Sequence, residues 1–371
     1  MADQVRPSRH DIIDTLTSSA GALGNVVLEL FAPAPAHGDA STLARAVSIR
    51  NFHIGDKIGK GSFGSVYAAR NTVTGQPLAI KVELLTGEHE ASQLEVEWRT
   101  YSHLTGCAGV LQVVAYYTSP PAVAPPLRMM AMQLAPLCLD KAVYCIGAHQ
   151  RSGPEFTTAS AHPTHWPRHL SVGATAWVGR AMVRALQHMH VKGVIHRDIK
   201  PQNVAVVDTP SGPALALFDL GLAKCIVHDG QHIAHETGCA FLGTVLYASP
   251  LVHAGHRASR RDDLWSAGVM ACACGGAALP WMCLGKSRGA TMGASKRSAR
   301  KRRMGIQASM KRDRASWGVT LSPSWCEYFD IVDGLKFDEE PPYAHLAALF
   351  DAGASAPHEM QTCLEMCAAP L

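Results

Sequence analysis

The chain has 371 residues, 47% of them hydrophobic, and a formal net charge of +4. That much apolar material supports a sizeable core and excludes wholesale disorder, and so small a net charge gives no global field that would imply a nucleic-acid partner. Eleven cysteines are scattered without a disulfide framework or a CxxC pair, which fits reduced, packed thiols and an intracellular protein.

The start, MADQVRPSRHDIIDTL, lacks the apolar core of a signal peptide. No run of about 18 uncharged apolar residues exists, so no membrane span is expected. Residues 1–50 read as a partly flexible extension, with one short helix before the Ala/Pro/Gly-rich run APAPAHGDAS. Residues 53–85 then read as three strands: HIGDKIG, SVYAAR and PLAIKVELL, the last two joined by the turn Asn71–Gln76. Residues 88–104 have helical spacing, with Leu94, Trp98, Tyr101 and Leu104 in one stripe. From about residue 136 the pattern is mainly helical. A long helix is expected over 172–191, a helix apolar nearly all round over 263–279, and a tight hairpin over 204–218. The fold class is therefore α+β, a small antiparallel β-rich lobe with one helix followed by a larger, mainly helical lobe.

Gly59–Gly64 spells GxGxxG. In a dinucleotide-binding fold a helix must start at these glycines, but SVYAAR runs at once into a turn and leaves no room for it. The glycines are expected at a hairpin tip whose backbone can lie over phosphates; an ordinary glycine hairpin is the plainer alternative. Lys81 lies inside the apolar run Leu-Ala-Ile-Lys-Val, where a cation needs an anionic partner or costs several kcal/mol, roughly. Glu97, in the apolar stripe of the next helix, supplies one, while Glu95 points away. A Lys81–Glu97 pair would leave Lys81 to hold phosphate oxygens; an edge lysine with its head in solvent is the alternative.

The stretch GVIHRDIKPQNV places Asp198, Lys200 and Asn203 within six residues, just before the expected hairpin. The residues flanking the two strands, Asn203 and Asp219, should meet at its open end. An amide oxygen beside a carboxylate suits Mg²⁺, which takes hard oxygen ligands and keeps water and phosphate for its other positions. Asp198 would orient a substrate hydroxyl and accept its proton, and Lys200 would neutralise charge on the transferring group.

Together, GxGxFGxV, AIK, HRDxKPxN and Asp-Leu-Gly resemble the signature set of the eukaryotic protein kinases. Gly243-Thr-Val-Leu-Tyr-Ala-Ser249, Ser259-Arg-Arg-Asp-Asp-Leu264, Leu279-Pro-Trp281 and Gly334–Tyr343 resemble the casein kinase 1 group, which includes the vaccinia-related kinases and viral relatives. The resemblance covers about residues 50–355. It implies a two-lobed kinase domain over 51–371, with an N-lobe at 51–133 and a C-lobe at 134–371. It implies ATP as the nucleotide, with contacts from Ile58, Gly59, Gly61, Ser62, Phe63, Gly64, Val66, Ala79, Lys81, Met132, Gln133 and Leu134. Met132 and Gln133 would border the adenine. Residues 219–250 would be the activation segment, with Thr244 near Asp198, and Asp263 would brace the catalytic loop from a buried helix.

The sequence departs from the group in two places. Leu220 stands where Asp-Phe-Gly carries its phenylalanine, and can still fill an apolar slot. Leu246 stands where GTxRYAS carries an arginine that helps bind acidic or phosphorylated substrate, so a strict preference for pre-phosphorylated substrates is not implied. An insertion over about 147–170 holds His162, His165 and His169, and the segment after Asp219 holds His228, His232 and His235; no cysteine or carboxylate sits among the first three, which favours a solvated loop over zinc. Residues 286–314 carry eleven cations against Asp313 alone. A solvated insertion, a nuclear localisation patch at 296–303 and an anion-binding surface for acidic substrate or nucleic acid are all consistent with it.

The expectation is a monomeric serine/threonine protein kinase using ATP and Mg²⁺ on protein substrates, some of them acidic, located in the cytoplasm, the nucleus or both. The alternative is a pseudokinase scaffold that binds nucleotide or acidic partners.

Overall fold

A computed structural model describes residues 52–61, 64–85, 92–119, 127–149, 169–282, 296–317, 321–351 and 358–367. The expectations for the first fifty residues, for Ser62 and Phe63, for His162 and His165, and for most of the 147–170 insertion lie outside them. The chain divides into two compact units: residues up to Thr105 with Leu111–Leu134, and Gly106–Val110 with Ala135–Leu371. The expected boundary at 133/134 thus moves by one residue, and a short excursion at 106–110 belongs with the second unit. Leu217 N–H donates to Gly109 O at 2.8 Å, and a Cβ on Gly109, at φ +76°, would stand 2.7 Å from that of Ala185.

The first unit is a five-stranded antiparallel sheet of β1 (Phe52–Gly61), β2 (Gly64–Asn71), β3 (Pro77–Leu84), β4 (Val113–Thr118) and β5 (Leu127–Gln133), in the order β1-β2-β3-β5-β4. Its register explains a strand as uniformly buried as β3. Tyr67, Ile80 and Ala131 lie opposite one another in an apolar core with Leu78, Val82, Tyr117 and Met129. Val66, Lys81 and Met130 also lie opposite one another, and the pleat turns them to the other face. Helix α1 (Gln93–His103) serves that face, for Trp98 stacks on Tyr116, the neighbour of Met130.

The helix begins five residues later than its periodicity suggested. Ser92 is its N-cap, accepting from Glu95 N–H at 2.9 Å. Buried Glu83, on β3, accepts from Ser92 Oγ at 2.5 Å and from the amides of Gln93 and Leu94 at 3.2 Å. A carboxylate on the first amides of a helix satisfies donors that have no intrahelical partner.

In the second unit, β6 (Leu137–Cys138), β8 (Val204–Thr209) and β9 (Gly212–Leu217) make a three-stranded sheet, and β7 (Val194–Ile195) pairs with β10 (Lys224–Cys225). A further hairpin joins β11 (Val227–His228) to β12 (Gln231–His232). The helices are α2 (Leu139–His149), α3 (Val172–Val191), α4 (Pro250–His253), α5 (Arg260–Cys274), α6 (Lys296–Arg312), α7 (Pro323–Gly334), α8 (Tyr343–Ala348) and α9 (His358–Cys367). The long helix expected over 172–191 is α3. The helix expected over 263–279 is α5, displaced at both ends. A capping box of Ser259 and Asp262 starts it, and it stops before Gly275 and Gly276, the latter at φ +86°. Every residue from Asp262 to Cys274 is buried, as its apolar composition required.

Candidate active site

In the first unit, the glycines close the β1–β2 hairpin, with Gly61 paired to Gly64, Lys60 to Ser65 and Gly59 to Val66. Position 64 admits no side chain, since a Cβ there would stand 2.1 Å from the carbonyl oxygen of Val82. The second glycine strand therefore lies directly on β3, one residue from Lys81. Ala79 lies opposite Met132, on the same face as Lys81 and Val66. Gln133 is held at the end of β5, its Oε1 accepting from Gln112 N–H at 2.8 Å. Ile58 is half exposed on β1.

Lys81 Nζ donates to Glu97 Oε2 at 2.7 Å, and both residues are buried. The solvated-lysine alternative is thereby excluded. Losing either partner of such a pair costs about 3–5 kcal/mol, because the other charge stays buried.

In the second unit the stretch 196–203 folds around its own backbone. Asp263, on buried α5, accepts from the amides of His196 (Oδ2, 2.7 Å) and Arg197 (Oδ1, 2.8 Å). His190 Nε2 donates to Asp263 Oδ2 at 3.0 Å, and the Tyr343 hydroxyl lies 2.7 Å from His190 Nδ1. Burial alone would raise the Asp263 pKa, but the His190 hydrogen bond and charge, His196 and these amides hold it below the usual carboxylate value. Asp263 thus fixes the turn at Arg197, whose φ of +67° is unfavourable for a side-chain-bearing residue.

That turn presents Asp198, itself buried. Asp198 Oδ1 accepts from Thr244 Oγ1 at 2.6 Å, and Oδ2 accepts from Lys200 Nζ at 2.6 Å. Lys200 Nζ also lies 3.4 Å from Thr244 Oγ1. Asn203 Nδ2 donates to Asp198 O at 2.9 Å and to Oδ2 at 3.2 Å, so its amide oxygen is left for another partner. Asn203 stands at the open end of the β8–β9 hairpin, where Phe218 N–H donates to its carbonyl at 3.1 Å. The hairpin expected over 204–218 is β8 with β9, and Val204 lies opposite Leu217. Asp219 follows Phe218 in the left-handed conformation at φ +62°. Asn203 thus stands against Phe218, one residue short of the Asp219 expected to meet it, and an amide oxygen and a carboxylate at this end of the hairpin are the hard-oxygen donor types that a divalent cation such as Mg²⁺ takes. Leu220 is buried and fills its apolar slot.

The remaining candidates sit apart from this cluster. His235 Nε2 lies 3.0 Å from His256 Nδ1, and His232 packs edge-on against Phe337. His169 abuts Gly276. No group of three or more His, Cys, Asp or Glu side chains placed to hold a metal ion occurs among the described residues. Within residues 286–314, Lys311 is buried on α6 and so takes no part in a solvated or ligand-facing surface. Nothing in the cation spacing distinguished it from its neighbours. Glu83 and Tyr343 were also missed, since capping and bracing contacts across long sequence separations leave no local pattern.

A fold with these two units, a buried lysine–glutamate pair in one and the Asp198 cluster in the other, defines the protein kinases. Residues 52–316 match the family described as protein kinase domain, and the chain belongs to that family. Within it, the chain is 31% identical over 308 residues to casein kinase I homolog 2 of Schizosaccharomyces pombe, covering 81% of this chain and 62% of that protein. The chain thus spans less than two thirds of that relative's length, and its resemblance to casein kinase I rests on the shared kinase portion.

Proposed function

We propose that the protein is a serine/threonine kinase that transfers the γ-phosphate of ATP to protein hydroxyls, in the manner of casein kinase 1. The observation that carries this reading is the Asp198 cluster, in which a carboxylate, an ammonium, an amide and a hydroxyl converge within hydrogen-bond distance.

Each residue has a role that its surroundings support. Asp198 accepts the proton of the substrate hydroxyl and orients that oxygen. Lys200, already on Asp198, neutralises charge at the transferred group. Lys81, steered by Glu97, holds phosphate oxygens, and Gly59, Gly61 and Gly64 let backbone amides approach them. Ile58, Val66, Ala79, Met132, Gln133 and Leu134 line the base; Ser62 and Phe63 are assigned to the nucleotide by the family resemblance alone. Asn203 and Asp219 supply the metal-facing oxygens. A bound Mg²⁺ would neutralise phosphate charge.

Protein substrates follow from the class, and the cations of residues 286–314 are the sequence feature that favours acidic ones. No helix among the described residues is long and apolar enough to cross a membrane, and the cations at 296–303 favour the nucleus as well as the cytoplasm. A scaffold without transfer has no observation in its favour, because each catalytic position holds a competent group.

The test is labelled phosphate transfer to casein with Mg²⁺ and with EDTA. The reading predicts transfer to serine and threonine that EDTA abolishes and Lys81→Met cuts by about 10²-fold or more. Bound ATP without transfer by the wild-type chain would favour the scaffold.

A further inference from the structure

Lys311 is 1% exposed, and no carboxylate pairs with it among the described residues. Its Nζ donates at 2.7 Å to two backbone carbonyls, those of Val245 and Ala248. His253 Nε2 lies 3.1 Å from the same Nζ and 3.2 Å from Val245 O. The ammonium also stands 5.4 Å from the ring centre of Trp265 and 5.5 Å from that of Trp281. Burial pushes its pKa well below that of a free lysine, while the carbonyl oxygens and indole faces favour the charged form. A buried cation costs several kcal/mol, roughly, unless such partners compensate.

The two carbonyls belong to the segment that follows Thr244, and the same segment is gripped once more by Trp281, which α6 holds in turn. Trp281 Nε1 donates to Leu246 O at 2.9 Å, and Gln307, one turn before Lys311 on α6, donates to Trp281 O at 3.1 Å. The amides of Tyr247 and Ala248 both donate to Thr244 O, at 3.0 and 3.1 Å. Thr244 Oγ1 in turn holds Asp198. A continuous chain of bonds therefore runs from α6 through 245–248 to the carboxylate.

We propose that Lys311 is a positioning residue for phosphoryl transfer, clasping the Val245–Ala248 backbone so that Thr244 is fixed against Asp198. The proposal rests on the kinase reading. It assigns one cation of the basic segment to the substrate-facing part of the site, and predicts that nucleotide binding is spared when it is lost.

The experiment is steady-state transfer to casein by the full chain carrying Lys311→Met, Trp281→Phe, Thr244→Val, the Lys311→Met/Thr244→Val double substitution, and Arg312→Met as an exposed neighbouring charge. Lys311→Met should lower kcat/KM for casein roughly tenfold or more and change KM for ATP by less than about twofold. Trp281→Phe, which removes one donor, should act in the same direction by less. Because Lys311 acts through Thr244, the double substitution should fall no more than about threefold below Thr244→Val alone. Arg312→Met should match wild type. If Lys311→Met does not fold, as judged by circular dichroism, Trp281→Phe takes its place in the cycle with the same criterion. Wild-type transfer by Lys311→Met, multiplicative losses in the double substitution, or an equal loss from Arg312→Met would overturn the proposal while leaving the kinase reading intact. An inactive wild type would overturn both.

Discussion

Asp198 is held by three side chains, and each contact has a separate consequence. Lys200 and Asn203 both donate to Oδ2, whereas Thr244 donates to Oδ1 and so fixes the orientation of the carboxylate. Asp198→Asn keeps the size and most hydrogen bonds but cannot take a proton. It should lower kcat by about 10²–10⁴-fold while the thermal shift induced by ATP persists. Glu97→Gln should act differently. It leaves the Lys81 ammonium buried beside a neutral amide, so the melting temperature should drop along with activity. The cost expected from breaking such a pair is about 3–5 kcal/mol, measurable by urea denaturation.

At the scale of elements, the supports of the site are glycine and carboxylate contacts rather than apolar packing. Gly64→Ala should be strongly destabilising for the β1–β2 hairpin, because the new Cβ would collide with the Val82 carbonyl; hydrogen exchange of β2 amides should rise more than that of α3. Glu83→Gln should loosen the start of α1 by about 1–2 kcal/mol, since the cap to Ser92 and two amides loses its charge. Elements with a strong period were readable from sequence: α3 follows its apolar pattern from Val172 to Val191. Their ends were less legible, because apolar spacing alone overruns the caps that decide them. Helix α1 begins at Gln93 because Ser92 caps it, and Glu83, ten residues earlier on β3, takes up Ser92 Oγ and the first amides. Helix α5 stops where two consecutive glycines end its regular hydrogen bonding. In the site, local motifs revealed Asp198, Lys200, Asn203 and the Lys81–Glu97 pair. The bracing of Asp263 by His190 and Tyr343 was hidden, because its members are brought together only by α3, α5 and the start of α8.

Over the whole molecule, charge is distributed against its sequence appearance. Residues 286–314 look like a uniform basic run, yet Lys311 is internal and lies against His253. His253 has a pKa pushed down to about 4 by burial, by Lys311 and by Arg312, against the Val245 carbonyl, which raises it. In the pH range from its ordinary value of 6.5 down to about 4, the unfolded chain binds a proton at this histidine that the folded chain refuses. Stability therefore rises with pH across that window and falls on acidification. The wild-type melting temperature should decline more steeply from pH 7 toward pH 4.5, roughly, than that of His253→Gln, which has no group to protonate.

The most direct measurement of the central claim is the initial rate of phosphate transfer from ATP to casein, taken side by side for the wild-type chain and Asp198→Asn, with phosphoamino-acid analysis of the product. The account predicts phosphoserine and phosphothreonine from the wild type and a loss of at least about a hundredfold in the variant. Equal rates from the two proteins would contradict it.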